Sequence, residues 1–168
     1  MGAMTITPIL LHAHQPSVLD LADPALRPLD GPGDVALAFE LMQLLRPHLV
    51  DVTDLATRVA AMRPQGYHLL GAFDAGTLVA LAGYRLQENL VYGRFLYVDD
   101  LVTAPAQRGS RWGARLLQAL QRLASAEGCA RLVLDTGVTN LQAQRFYVRE
   151  GLVHGAQRYQ TSLDGLRR

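Results

Sequence analysis

Apolar positions along the chain fall into two rhythms, and their order predicts the architecture. From Val35 to Leu49 the run VALAFELMQLLRPHL returns to an apolar residue every three or four positions, the spacing of a helix with one buried stripe. Asp34 stands where an N-cap belongs, and Pro47 is expected to end the helix. A second such run, DLATRVAAMRP, opens at Asp51 or Thr53 and breaks at Pro64. The rhythm then shortens. Gly66 to Phe73 (GYHLLGAF) and Thr77 to Leu86 (TLVALAGYRL) read as strands, and Asp74-Ala75-Gly76 between them has turn chemistry, so the pair is expected to form an antiparallel hairpin. Gln87 to Val91 links it to a third strand, Phe95 to Thr103 (FLYVDDLVT), whose Val, Leu and aromatic content suits a buried central position. Ala104-Pro105-Ala106 ends that strand, because proline has no amide for the ladder.

The second half continues the alternation. A helix is expected from Gly109 to about Glu127, with Leu116, Leu117, Leu120 and Leu123 on one face, followed by a short buried strand from Arg131 to Asp135. Asn140 caps LQAQRFYVREG, which Gly151 terminates. Leu152 to His154 and Arg158 to Leu163 read as two closing strands joined by Gly155. Before all this, residues 5–33 are dominated by prolines and turn formers, with a candidate short strand from Thr7 to His12, and Met1-Gly2-Ala3 resembles a cloning remnant. The pattern shows no repeat and no second domain, so one domain over residues 5–168 is expected.

Composition narrows the function classes. Sixteen basic and fifteen acidic side chains nearly cancel in 168 residues, which argues against a nucleic-acid binder that works by bulk charge. No apolar run approaches the length of a membrane span and no export signal is apparent. The single cysteine, Cys129, forbids an internal disulfide, so a reducing cytoplasm is the expected compartment. His12 and His14 could chelate a metal, but two histidines without a carboxylate partner make a poor site, and no metal is expected.

Candidate chemistry sits where the central strand runs into the long helix. Gln107-Arg108-Gly109-Ser110-Arg111-Trp112-Gly113 is a basic, glycine-bearing loop leading into a helix start. The first amides of a helix lack intrahelical partners and lie at the positive end of its dipole, so the loop has the makings of a pyrophosphate site. Upstream, Asp99 and Asp100 are adjacent acids inside an apolar strand, expensive to bury unless something requires them. Strand alternation places them on opposite faces, so they are expected to play different parts.

Leu101-Val102-Thr103-Ala104-Pro105-Ala106-Gln107-Arg108-Gly109-Ser110-Arg111-Trp112-Gly113 resembles motif A of the GNAT superfamily of N-acetyltransferases, LxVxPxxRGxGxG/A, with Arg111 in place of the middle glycine. Asn140 to Leu152 is similar to the family's motif B, NxxAxxFYxxxGF/L, and Tyr97-Val98-Asp99-Asp100-Leu101 to a run found in diamine acetyltransferases of the superfamily. The resemblance implies a single-domain GNAT fold of the α/β (α+β) class, with a mixed, mostly antiparallel central sheet flanked by helices.

It also implies an acetyl-CoA-dependent N-acetyltransferase. The coenzyme would be held by Leu101, Val102, Thr103, Arg108, Gly109, Ser110, Arg111, Trp112, Gly113, Ala114, Asn140 and Tyr147. Tyr147 would lie near the thioester sulfur as the acid for the leaving thiolate, and Asp99 would take the amine proton through water. Tyr97, Asp99 and Asp100 would face the substrate, and the two acids favour a small cationic amine. Asp100 admits an alternative, an acid satisfied by backbone donors or an arginine. Two other readings stay open: a non-catalytic acyl-CoA-binding or regulatory domain, for which Arg111 is the only support, and an acetyltransferase acting on a protein N-terminus or lysine. Dimerisation, common in the family, makes a homodimer an expectation with no interface legible in the sequence.

Overall fold

In the computed structural model the chain is described over residues 22–31 and 33–163. Five strands form one sheet in the order β1 (Leu26–Pro28), β2 (Tyr67–Asp74), β3 (Thr77–Asn89), β4 (Gly93–Thr103), β5 (Arg131–Leu134). Every neighbouring pair is antiparallel except β4 with β5, which is parallel. Helices α1 (Asp34–Leu45) and α2 (Val52–Met62) precede β2, α3 (Trp112–Ala126) joins β4 to β5, and α4 (Leu141–Arg149) follows β5.

The sheet is covered on both faces. On one side the apolar stripe of α3, including Leu116, Leu120 and Leu123, packs on Leu70, Ala82, Leu96 and Val98. On the other, Leu41 and Met42 of α1 and Leu55 and Val59 of α2 pack on Tyr67, Leu69, Leu81 and Val102. Each fully buried leucine contributes about 1.5–3 kcal/mol, so these two stripes fix the helices on the sheet. Helix α4 has no buried residue and is held at its start by Asn140, whose Oδ1 accepts from the Ala143 amide at 3.1 Å. Its end comes at Gly151, as expected, where φ is +88°.

Several expectations need correction. Asp34 is the first helical residue rather than the cap: Gly33 takes that position, and the Asp34 carboxylate accepts from the Gly31 amide at 2.7 Å and pairs with Arg27. Asp51, one of the two residues proposed to open α2, does cap it, accepting from the Asp54 amide at 2.8 Å. The supposed irregular segment contains β1, an edge strand on β2 that three residues are too few to announce in sequence. The link at 87–91 is mostly strand, because β3 runs on to Asn89 and turns directly into β4. The two closing strands do not form. No residue from 152 to 163 joins the sheet, and Val153, Tyr159 and Leu163 are 86%, 87% and 60% exposed. With so little apolar surface to bury, that pair lacks the packing a hairpin needs. The candidate strand at 7–12 and the histidines at 12 and 14 lie outside the described residues.

Candidate active site

Two features of β4 create the site. The first is a β-bulge. In the ladder with β3, Val98 pairs with Tyr84 and Asp100 with Gly83, so Asp99 is an extra residue with no opposite number. A bulge resets the alternation of side chains. Asp99 and Asp100 therefore do not point to opposite faces, contrary to the alternation argument: both turn toward the α1–α2 side. Asp100 Oδ2 accepts from the Tyr67 hydroxyl at 2.7 Å, and its Oδ1 accepts from Arg46 Nε at 2.9 Å. Asp99 Oδ2 accepts from Arg85 Nε at 3.0 Å, while the guanidinium of Arg85 lies 5.4 Å from the centre of the Tyr67 ring. The carbonyl of Asp99, displaced by the bulge, accepts from Arg46 Nη2 at 2.9 Å. Gly83 is essential to this packing, since a Cβ there would lie 2.3 Å from the Tyr67 hydroxyl and 2.7 Å from Asp100 Oδ2.

The second feature is the end of the β4–β5 pairing at Val98 and Leu134, beyond which β4 has no partner on that edge among the described residues. The Ala104 amide donates to Val79 on the β3 side. Ladder bonds alternate along an antiparallel strand, so the amides of Leu101 and Thr103 face the opposite way, into the gap left by β5. A cavity of about 750 Å³ opens there. Leu101, Val102 and Thr103 form one wall, Gln107 to Gly109 and Arg111 to Ala114 a second, and Asn140, Phe146 and Tyr147 with other residues of α4 a third. Leu44 and Leu45 at the end of α1 complete it.

The loop enters α3 through two left-handed residues. Gly109 takes φ +88°, and Arg111, at the N-cap, takes φ +63° and ψ 10°. Arg111 thus adopts the left-handed conformation that a glycine takes without strain, and the path of the backbone is kept. Its side chain makes no cap bond, so the first amides of α3 are left to whatever enters the cavity. Trp112 is buried beneath, its indole N–H donating to Gln107 Oε1 at 3.3 Å and its ring stacked under Arg115 at 4.1 Å.

Of the residues expected to hold the coenzyme, all but Ser110 line this cavity, Tyr147 among them. The Asn140 side chain uses its oxygen in capping α4, which leaves its amide nitrogen free to donate. Tyr147 is half-buried against Phe146, and its hydroxyl makes no hydrogen bond among the described residues. Burial raises its pKa above the ordinary tyrosine value, so the phenol remains protonated.

Tyr97, Asp99 and Asp100 stand apart from the cavity. Tyr97 donates to Asp135 through a short hydrogen bond and accepts from Arg158 Nη2 at 3.2 Å. Burial and the Asp135 hydrogen bond push its pKa up to about 12. Asp100 is 7% exposed and saturated by Tyr67 and Arg46, which supports its arginine-satisfied reading. Asp99 is different: burial raises its pKa, Arg85 opposes that shift, and its Oδ1 has no partner among the described residues. Arg85, Arg46 and Tyr67 were not singled out from sequence. Arg85 had a signal, as the one charge within the apolar run TLVALAGYRL.

Comparison with known proteins places the chain in a family. A sequence model of the Acetyltransferase (GNAT) family matches residues 37–152. The chain belongs to the GNAT acetyltransferase family. It is 32% identical over 80 residues to aminoglycoside N(6')-acetyltransferase type 1 of Serratia marcescens, covering 45% of this chain and 55% of that one. It is 28% identical over 97 residues to the aminoalkylphosphonate N-acetyltransferase of Salmonella typhimurium, covering 57% and 63%. Both matches thus span less than two thirds of the relative's length. A solved putative acetyltransferase from Agrobacterium tumefaciens superposes with a TM-score of 0.71 at 28% identity, over 82% of this chain and 98% of that one. The α/β GNAT fold, with its mostly antiparallel sheet between helices, is as the motifs implied.

Among the described residues no helix is long and apolar enough to cross a membrane, and no three His, Cys, Asp or Glu residues are grouped as metal ligands.

Proposed function

We propose that this protein transfers an acetyl group from acetyl-CoA to a primary amine of a small molecule, by direct attack in a ternary complex. The observation that carries the reading is the cavity itself. Strand-edge amides at Leu101 and Thr103, the uncapped start of α3 and the unpartnered Tyr147 hydroxyl all open onto one space. Pyrophosphate would lie on the amides and side chains from Arg108 to Ala114, with the pantetheine arm extended along Leu101 to Thr103 as an added strand. The Asn140 amide would steady that arm.

The chemistry follows from placement. An alkylammonium has a pKa of about 10.4 and only its neutral form attacks, so a base is needed. Asp99 lies two residues before Leu101 and outside the cavity, so it would take the proton through a water. The Leu101 amide faces the gap where the thioester carbonyl would sit and would stabilise the oxyanion. Tyr147 would return a proton to the departing thiolate. Relatives named for aminoglycosides and for aminoalkylphosphonates share an amine acceptor on a small molecule, which favours that class over a protein N-terminus. Retention of the loop path by Arg111, with Tyr147 still in the cavity, speaks against a purely binding domain.

Calorimetric titration with acetyl-CoA, followed by an assay of CoA release with simple amines, tests the reading. Micromolar binding and amine-dependent release are expected. A folded, coenzyme-free sample that binds no acetyl-CoA would refute it, and binding without release to any amine would favour the regulatory domain.

A further inference from the structure

The expectation of a cationic acceptor rested on two acids free to hold positive charge. Neither is free in that sense. Asp100 is closed off by Tyr67 and Arg46, and Asp99 carries Arg85 on one of its two oxygens. On the same face a third acid, Asp135, pairs with Arg158 at 2.7 Å. Among the described residues, the surface beyond the bulge therefore sets three arginines against three aspartates. These residues leave it no excess negative charge with which to collect a polycation.

What it has is one half-used carboxylate beside one half-used guanidinium. Asp99 Oδ2 is taken by Arg85 Nε, and its Oδ1 is unpartnered among the described residues, with the side chain 22% exposed. Arg85 has five N–H donors, of which Nε alone has a strong acceptor among the described residues. Its Nη1 reaches Gln65 Oε1 only at 3.5 Å, and its Nη2 faces the sulfur of Met62 at 3.4 Å, a weak acceptor. The side chain is 15% exposed and its Nη1 contact is solvent-facing, so an incoming oxyanion can reach the terminal nitrogens. The ring of Tyr67 beneath, Met62 at the end of α2 and Gln65 in the turn that follows it fix the guanidinium in place. A part-buried arginine whose terminal donors are only weakly engaged suits an oxyanion.

Building on the acetyltransferase reading, we propose that the acceptor is a short zwitterion, an amine bearing a carboxylate or another oxyanion a few bonds away. Its acid group lies on Arg85 Nη1 and Nη2, and its ammonium faces Asp99 Oδ1 through the water that removes its proton. Asp99 then has two parts that its two oxygens keep separate. One orients Arg85 toward the acid, and the other draws the amine to the open edge of β4 where the thioester lies. A diamine would place its second ammonium against Arg85 and be repelled. An amine with an uncharged tail would leave the arginine unfilled.

The test compares β-alanine, propylamine and diaminopropane, matched in length, as acceptors for the wild-type protein, Arg85→Gln and Arg85→Lys. The wild type is expected to prefer β-alanine by roughly 10-fold or more in kcat/KM, the scale of one charge-assisted hydrogen bond. Arg85→Gln is expected to remove that preference through KM, with acetyl-CoA affinity unchanged, because Arg85 does not line the coenzyme cavity. Arg85→Lys is expected to restore part of it. Faster turnover of diaminopropane or propylamine by the wild type overturns the inference, even if neither variant folds. So does a preference for β-alanine that survives in a folded Arg85→Gln. If no amine is turned over, β-alanine is titrated into the protein saturated with CoA: binding by the wild type and not by Arg85→Gln supports the inference, and absence of binding overturns it. Failure to bind acetyl-CoA is a separate result, which removes the acetyltransferase reading and this inference with it.

Discussion

Replacement of Arg111 by glycine is expected to move stability and coenzyme affinity in opposite directions. Arg111 sits at φ +63°, where its Cβ crowds the following carbonyl at a cost of roughly 1–2 kcal/mol. Glycine relieves that strain but adds freedom to the unfolded chain, worth about 0.4–1 kcal/mol. The difference leaves a net stabilisation of about 0.5–1 kcal/mol, or a rise in Tm of about 1–4 °C for a domain of this size. The guanidinium of Arg111 is exposed, lines the cavity and makes no hydrogen bond or ion pair among the described residues. Nothing among the described residues compensates its charge, which suits it to a phosphate. An exposed contact of this kind is worth about 1 kcal/mol, roughly fivefold in Kd. Thermal melting and acetyl-CoA titration of Arg111→Gly against wild type check both signs. A fall in Tm would refute the account of backbone strain. A rise in Tm with unchanged Kd would show that Arg111 supplies only its backbone, with the loop as competent as one carrying glycine.

Four further outcomes are expected. Tyr147→Phe should lower kcat by roughly 100-fold or less with little change in coenzyme affinity, and unchanged turnover would remove Tyr147 from the mechanism. Because burial raises the Tyr147 pKa, wild-type activity should not fall through loss of this proton until above about pH 10, as a pH–rate profile can check. Gly83→Ala forces a Cβ against the Tyr67–Asp100 hydrogen bond and should cost roughly 1–3 kcal/mol, read as a drop in Tm; an unaltered Tm would mean that this network is not as described. Asp23, bonded by Arg115 at 2.7 and 2.6 Å, has its pKa lowered by those bonds. Its stabilisation is therefore complete above the unfolded carboxyl value of about 3.9 and is lost as pH falls through the lower folded value. Asp23→Asn should flatten the fall of Tm below about pH 4, and an identical slope in both proteins would exclude the pair from acid stability.

Elements long enough to show a rhythm were legible. Helices α1 to α3 show an apolar stripe and strands β2 to β5 apolar, β-branched runs, and the loop from Arg108 to Gly113 stands out by its arginines and glycines. What escaped falls into two physical kinds. Strand β1 is three residues long and depends on the edge of β2, so its pattern exists only once β2 is in place. The segment from 152 to 163 had strand-like composition but little apolar surface in contact with the sheet, and composition without packing does not make a strand.

The bulge at Asp99 is the more instructive failure. Alternation is counted from one end of a strand, and one inserted residue reverses every side-chain direction beyond it. The count that set Asp99 and Asp100 on opposite faces was sound until Val98 and wrong after it. The signs of an exception were nonetheless in the chain. Gly83 interrupts the apolar run of β3 directly opposite Asp100, and Arg85 is the lone charge two residues on. A glycine facing an acid marks a place where something larger must pass, here the Tyr67 hydroxyl. An arginine in a buried strand must find a carboxylate, and Asp99 is the acid that the bulge turns toward it. The Asp100 network secures the distorted strand and the Asp99–Arg85 pair faces outward from it. The residues that break the strand's pattern are thus the ones from which the acceptor's charge can be inferred.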